Sequence, residues 1–174
     1  MGNISPKDLK WLQWTNHGAQ LFSTCGKRQY MAIIVDRLGF QAASGYNGVP
    51  SGMTHCKDGG CPRLLNNTPA GSGGYTDCFS AHAEQNCLMQ SDHTRCYLGT
   101  MYVNGMPCWT CSKSIATSVL NRIVCVGDES YEDWERSIEF MKAAGKRVLV
   151  VDRSVVDSPI GGTFLGEPRP HLQG

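Results

Sequence analysis

The chain has 174 residues, 41% hydrophobic and 18% charged, with a formal net charge of +1. That length suits one domain with its own core, and that balance excludes a disordered chain. The near-neutral charge excludes a broad electrostatic pull toward polynucleotide or anionic membrane, and no apolar run approaches a membrane span. The first residues, Met1-Gly2-Asn3-Ile4-Ser5-Pro6-Lys7, lack a secretory apolar core, so a cytoplasmic protein is expected. There are nine cysteines. In a reducing compartment, clustered cysteines point to metal ligands before disulfides.

The predicted elements follow in chain order. Ser5 as cap, Pro6 at the first position and Asp8 in the first turn open a helix through about residue 24. Leu9, Leu12, Ala19 and Phe22 give its apolar stripe, and Trp11, Trp14 and Leu21 widen it toward a heavily packed helix. Residues 29–46 read as a hairpin: the run Tyr30 to Val35, a turn at Arg37-Leu38-Gly39, then Phe40 to Tyr46. Asn47-Gly48-Val49-Pro50 breaks regular structure. Residues 51–79 show no periodicity and many glycines, yet carry His55, Cys56, Cys61 and Cys78. A loop of that length inside a compact domain is functional or stapled.

Ser80 is placed to cap a helix over 81–91, and a strand covers 97–103. Pro107 opens a helix through about 119, and a strand covers 122–126. Ser130 with Asp133 opens a helix to about 144 whose buried face is Trp134, Ile138 and Met141. Gly145 ends it, and a last strand covers 147–151. Residues 152–174 form a Gly- and Pro-rich tail. Strands alternating with helices in the second half imply parallel pairing, and the first hairpin is antiparallel. The expected fold is α/β: a three-layer α/β/α domain with a mixed five-stranded sheet, one domain over 1–174 with its core at about 5–151.

The chemistry gathers in His82-Ala83-Glu84 and Pro107-Cys108-Trp109-Thr110-Cys111. Zinc takes imidazole and thiolate ligands tetrahedrally, and a catalytic zinc keeps one position open for water. His82, Cys108 and Cys111 supply three ligands. Glu84, two residues from His82 at a helix start, stands where a general base for that water belongs. Cys108 and Cys111, three apart, share a helix face. Both helix starts favour negative charge at the metal.

His-x-Glu followed by Pro-Cys-x-x-Cys is the signature of zinc-dependent nucleobase deaminases. With the element order, it resembles the cytidine deaminase-like fold, and within it the deoxycytidylate (dCMP) deaminase family of bacteria and phages. Four further stretches carry the resemblance. They are Gly45-Tyr46-Asn47-Gly48, Ser51-Gly52-Met53-Thr54-His55-Cys56 with Gly60-Cys61, His82 through Asn86, and Met101-Tyr102-Val103 before Pro107. Gln85 and Cys87-Leu88-Met89 depart from the family's usual apolar continuation, and the insertion from Pro62 to Tyr75 has no family counterpart.

The resemblance implies hydrolytic deamination of dCMP to dUMP, with ammonia released. It implies His82, Cys108 and Cys111 on the catalytic zinc, Glu84 as proton shuttle, and Asn47, Ala83 and Tyr131 at the substrate. It also implies a homo-oligomer, a hexamer, with dCTP or dTTP as effectors and Mg2+ beside the effector. Lys27, Arg28, Lys57, Arg63 and Arg136 are the candidates for a substrate phosphate. Two other readings remain open: a deaminase of another cytosine nucleoside, nucleotide or polynucleotide base, and a zinc-binding module without catalysis.

A second, structural zinc is expected at Cys25, Cys56, Cys61 and Cys78, with His55 as an alternative ligand. Cys25 precedes the first strand and Cys56 follows the second, so the hairpin returns both to one end. Four ligands and no open position suit a structural site. Cys87, Cys96 and Cys125 read as buried free thiols.

Overall fold

The computed structural model describes residues 4–68, 77–127 and 134–157. Tyr131, the Ser130–Asp133 pair and the tail beyond residue 157 lie outside the described residues. The elements are α1 (Pro6–Phe22), β1 (Met31–Val35), β2 (Gln41–Tyr46), α2 (Pro62–Leu65), α3 (Ala83–Met89), α4 (His93–Cys96), β3 (Thr100–Val103), α5 (Trp109–Thr117), β4 (Arg122–Val126), α6 (Trp134–Ala143), β5 (Arg147–Val151) and α7 (Arg153–Asp157).

The five strands form one sheet in the order β2-β1-β3-β4-β5. β1 pairs antiparallel with β2 and with β3, while β3, β4 and β5 run parallel. The sheet is therefore mixed, as its sequence pattern predicts. Three strands read as continuous apolar runs because both faces are covered. Alternation assigns the side chains to the two faces. Ala32, Ile34, Met101, Val103, Ile123 and Cys125 pack in one core cluster with residues of α3, α5 and α6. Ile33, Val35, Tyr102, Val124 and Val126 pack in the other with Leu12 and Ala19 of α1 and Val156 of α7. Each fully buried Ile or Val is worth about 1.5–3 kcal/mol relative to exposure.

α1 opens as expected: Ser5 Oγ accepts from Asp8 N at 3.1 Å. Asp8 then does more than favour the first turn. Its carboxylate accepts from both guanidinium nitrogens of Arg122, at 2.6 and 2.9 Å, and from the Tyr102 hydroxyl at 2.7 Å. These bonds hold the carboxyl far below the usual range despite the opposing cost of its burial. α1 is thereby pinned to β3 and to the start of β4.

The apolar stripe of α1 is narrower than its sequence suggests. Leu12 and Ala19 are fully buried, but Trp14, Leu21 and Phe22 are 45%, 70% and 51% exposed. Trp11 does pack, against Tyr102 with ring centroids 6.3 Å apart. The buried face instead includes Asp8, Gln13, Thr15 and Gly18. Gly18 lets Met31 approach where a Cβ would collide with its sulfur. The packed side thus carries polar and small residues that hydrophobic spacing does not reveal.

Between β2 and α3 the described chain is not a bare loop. A 3-10 turn spans Cys56–Asp58, and α2 follows with Cys61 as its N-cap and Pro62 at its first turn. Asp92 caps α4 through Thr94 N and Arg95 N. α2, α4 and α7 are each five residues or fewer, too short to leave a periodic signal.

Candidate active site

α3 starts two residues later than the Ser80 cap predicts. His82 itself is the N-cap, with φ −76° and ψ 152°, and the helix runs Ala83–Met89. α5 repeats the arrangement. Cys108 is its N-cap, Pro107 lies just outside, and Cys108 Sγ accepts from Cys111 N at 3.5 Å. Each helix therefore offers a side chain from the residue that is half in the helix and half out. That residue turns its side chain back over the helix start, where unpaired backbone N–H groups collect. The two starts face each other beside the N-terminal end of β1 and the C-terminal end of β3.

His82 Nδ1 lies 3.4 Å from Cys108 Sγ and 3.4 Å from Cys111 Sγ. Zinc bonds of about 2.0–2.1 Å to nitrogen and 2.3 Å to sulfur put tetrahedral ligand atoms about 3.6 Å apart. The donor set and its spacing therefore fit a zinc ion, with Nδ1 as the ligand nitrogen. Among the described residues, this is the only group of three or more His, Cys, Asp or Glu ligand atoms that all lie within 4.8 Å.

Its electrostatics are unsettled without a cation. The hydrogen bond from Cys111, then that from His82, lowers Cys108 to about 4. The same bond pushes the Cys111 thiol up. His82 is drawn toward its charged form by Cys108. Glu84 is 5% exposed beside them, and burial pushes its carboxyl up. A buried carboxyl with a raised pKa is a group ready to carry a proton.

The depth of α3 is set by backbone contact. A Cβ on Gly45 of β2 would fall 2.7 Å from Ala83 O and would also collide with Cys87 N. Asn86 Nδ2 adds a hydrogen bond to Tyr46 O at 2.7 Å. On the α5 side, Gly105 admits the Tyr30 ring where any side chain would strike it.

The other expected site residues divide. Ala83 is fully buried at the first position of α3, between His82 and Glu84. Asn47 is 7% exposed, and its amide is engaged by its own chain: Oδ1 accepts from Ser23 Oγ at 2.6 Å and Tyr30 N at 2.8 Å, and Nδ2 donates to Arg28 O at 2.8 Å. Among the phosphate candidates, Lys27 Nζ donates to Thr68 O, Arg28 donates to the Tyr30 hydroxyl at 3.3 Å, and Arg63 is buried. Arg136 lies 4.0 Å over the indole of Trp109, next to Cys108 in the chain.

Cys56 and Cys61 are buried, and Cys25 and Cys78 half-buried. No three of them bring their sulfurs within 4.8 Å of one another, so the expected four-ligand site is not assembled among the described residues. Burial first, then Cys61, Cys25 and Cys78, push the Cys56 thiol up to about 12. His55 is exposed and turned to Asp58, Nδ1 to Oδ2 3.4 Å, which removes it from that cluster.

Gln85 has a role its sequence position could have revealed. Its Oε1 accepts from His82 N at 3.3 Å, closing the helix start from which the imidazole projects. A Gln three residues after an N-cap is the capping-box spacing. Reading Ser80 as the cap hid it. The Trp109–Arg136 stack joins residues 27 apart, and no local spacing announces it.

The comparisons with known proteins agree with this site. Residues 6–127 match the family model described as the cytidine and deoxycytidylate deaminase zinc-binding region. A deoxycytidylate deaminase of Mycobacterium phage D29 is 37% identical over 107 residues, 59% of this chain and 80% of the phage protein. One of Saccharomyces cerevisiae is 35% identical over 124 residues, 71% of this chain and 38% of the yeast protein, so the chain spans well under half of that relative. The crystal structure of a cyanophage S-TIM5 dCMP deaminase in complex with dCMP and dUMP aligns with a TM-score of 0.65 at 25% identity, over 86% of this chain and all of that one. With the family model covering most of the described sheet and both ligand-bearing helix starts, the chain belongs to the zinc-binding cytidine and deoxycytidylate deaminase family.

Proposed function

We propose that the protein hydrolyses dCMP to dUMP and ammonia. The observation that carries this reading is a single one. Two helix starts bring His82 Nδ1 and two cysteine sulfurs to 3.4 Å, with a buried glutamate beside them. The cyanophage relative was crystallised with dCMP and dUMP, which supports the same substrate here.

His82, Cys108 and Cys111 would hold the zinc. Bound there, zinc supplies the Lewis acidity that makes water a nucleophile near neutral pH. The chain's residues do the rest. Glu84 takes a proton from the attacking water and passes it to N3 of the cytosine; it then takes the second proton, from the new hydroxyl on C4, and delivers it to the amine as the C4–N bond breaks and the C4 carbonyl forms. Its raised affinity for a proton suits this relay, worth roughly 10²–10⁴-fold. Ala83 N–H, at the first helical position, has no acceptor within its own helix and can donate to the base carbonyl. Asn47 stands at the sugar end, where its hydrogen bonds to Ser23, Arg28 and Tyr30 hold the wall rigid. Arg136 meets the phosphate. Stacking on Trp109 holds its planar fork in place beside α5 at little further entropic cost. For Tyr131 a place at the substrate rests on the family resemblance alone.

Family resemblance further suggests a hexamer in the cytoplasm, with dCTP or dTTP and Mg2+ as effectors. No helix among the described residues is long and apolar enough to cross a membrane. Light scattering tests the assembly, and saturation curves with and without each triphosphate test the regulation.

The test of the reaction is ammonia release from dCMP, compared with deoxycytidine and single-stranded DNA. Turnover of dCMP above the other two is expected. Absence of ammonia from every cytosine compound by zinc-loaded protein would overturn the reading.

A further inference from the structure

We propose that Asn104 and Arg153 are positioning residues for the metal. Asn104 fixes the turn that carries Cys108, and Arg153 of α7 fastens Asn104 from beyond the 6–127 stretch that the family model matches. The inference rests on His82, Cys108 and Cys111 as zinc ligands and stands whatever the substrate.

The stretch 28–31, which leads into β1, is gripped from both sides by an asparagine. On one side Asn47 takes both backbone groups of Tyr30. Its N donates to Tyr30 O at 3.0 Å, and its Oδ1 accepts from Tyr30 N at 2.8 Å. Its Nδ2 adds Arg28 O at 2.8 Å. On the other side Asn104 repeats the pattern one residue on. Its N donates to Met31 O at 3.4 Å, its Oδ1 accepts from Met31 N at 2.8 Å, and its Nδ2 donates to Gln29 O at 3.1 Å. Successive residues of an extended chain turn their N–H and C=O to opposite sides, so Tyr30 and Met31 serve different neighbours.

Each asparagine leads to one half of the metal site. Asn47 is followed by Gly48, which exchanges two backbone bonds with Ala81, at 3.2 and 2.9 Å, and His82 is next in the chain. Asn104 is followed by Gly105, Met106 and Pro107, and then by Cys108. The 3.4 Å between His82 Nδ1 and Cys108 Sγ is thus set by two arms from one mount. The second arm has little else to hold it. Between the end of β3 and Cys108, Asn104 N makes the only backbone–backbone hydrogen bond among the described residues. Gly105 lies against the Tyr30 ring, and Met106 Sδ meets Cys125 Sγ at 3.8 Å. Those contacts limit how closely the segment packs. The Asn104 amide fixes its register along 28–31.

Asn104 is 3% exposed, and all four of its polar groups are engaged. The fourth is its carbonyl, which accepts from Arg153 Nη2 at 3.0 Å. Arg153 is itself exposed, while Val156 seats the same short helix in the core on the α1 side. A buried polar group with every partner in place holds one geometry, and groups behind the ligands tune a metal site through geometry alone.

The experiment is zinc affinity of the folded protein, by competition with a chromogenic chelator well below the thermal midpoint. The zinc missing from His82→Ala defines the site. Asn104→Leu keeps the bulk and removes the amide. Its zinc dissociation constant should rise by about tenfold, the low end for a lost outer partner of a metal ligand. Val124→Ala, in the core of the opposite face, is the control for lost stability alone: its midpoint should fall and its zinc affinity should hold. Arg153→Ala should raise the constant by about threefold with little change in midpoint. Unchanged affinity in Asn104→Leu overturns the proposal, and so does an affinity loss in Val124→Ala in proportion to its midpoint. Unchanged affinity in Arg153→Ala overturns the part given to Arg153, and decides the whole if Asn104→Leu does not fold. Cobalt-substituted protein adds a spectroscopic readout. The ligand-field band should change shape in Asn104→Leu and keep it in Val124→Ala; the same band in all three proteins overturns the proposal. No readout uses a substrate, so these failures leave the deaminase reading untouched. A wild type with no more zinc than His82→Ala would instead remove the metal site that both share.

Discussion

The two faces of the sheet each bury a polar cluster, and the clusters differ in one respect. On the α1 face, Asp8, Arg122, Tyr102 and Ser5 satisfy one another: the carboxylate accepts two guanidinium bonds and two hydroxyls. On the α3–α5 face, Cys108 is pulled down while Cys111 and the buried Glu84 are pushed up. Both clusters sit on the same strands, and Tyr102 lies between Met101 and Val103 of the other face. A buried polar group with its partners in place is scaffold; one whose partners are incomplete is chemistry waiting for a ligand. The difference lies in what the neighbours leave unfinished, since depth of burial is alike.

The sharpest way to break this contrast is Glu84→Gln. Turnover should fall by roughly 10²–10⁴-fold or more while zinc content and thermal midpoint stay near wild type. Parallel metal analysis and steady-state kinetics check it, and substantial residual turnover would remove the glutamate from the mechanism.

The opposite signature is expected on the other face. Arg122→Ala strands a buried carboxylate and should cost about 3 kcal/mol of stability, the low end for a broken buried pair because Arg122 is a quarter exposed. Per folded molecule, kcat should hold. The pH dependence has a definite sign. Asp8 titrates lower folded than unfolded, so its contribution is complete above the ordinary carboxylate value of about 3.9 and is lost as pH falls below it. The stability gap between wild type and Asp8→Asn should be flat from neutrality to about pH 5 and close below about pH 4. Urea titrations across that range measure it.

A smaller effect sharpens the comparison within the active face. Arg136→Ala should raise KM for dCMP by about tenfold, about 1.4 kcal/mol, and leave deoxycytidine kinetics unchanged. Equal loss on both compounds would place Arg136 away from the phosphate. The smallest effect belongs to Trp14, 45% exposed with its Nε1 on Gln41 Oε1 at 3.1 Å. Trp14→Ser should change stability by less than about 0.5 kcal/mol. A larger loss would mean that this part of α1 is covered in solution.

The sequence announces the sheet because strands buried on both sides must be apolar at every position, as in Ile33-Ile34-Val35 and Ile123-Val124-Cys125-Val126. It announces the candidate metal ligands His82, Cys108 and Cys111 because metal binding demands residue types that packing does not. What it hides depends on distance or on fine placement. Asp8 and Arg122 are 114 positions apart, and nothing local to either pairs them. His82 as its own N-cap is displaced from the Ser80 reading because imidazole is not among the usual capping groups, while Ser is. Trp14, Leu21 and Phe22 complete an apolar pattern on α1, yet only the side bearing Leu12, Thr15 and Ala19 is buried against the sheet. Periodicity gives the existence of a face but not its width.

The contact at Gly45 carries a consequence for how this chain can drift over generations. Because β2 and α3 touch backbone to backbone, the separation between the sheet edge and the His82–Glu84 turn is set by atoms that every residue shares. Side chains deeper in the layer, such as Ala43 and Leu88, can exchange volume with their neighbours without changing that separation. The tolerance of the layer is then concentrated at one position. Gly45 acts as a fixed gauge, and a population of such chains should vary freely around it while position 45 stands still.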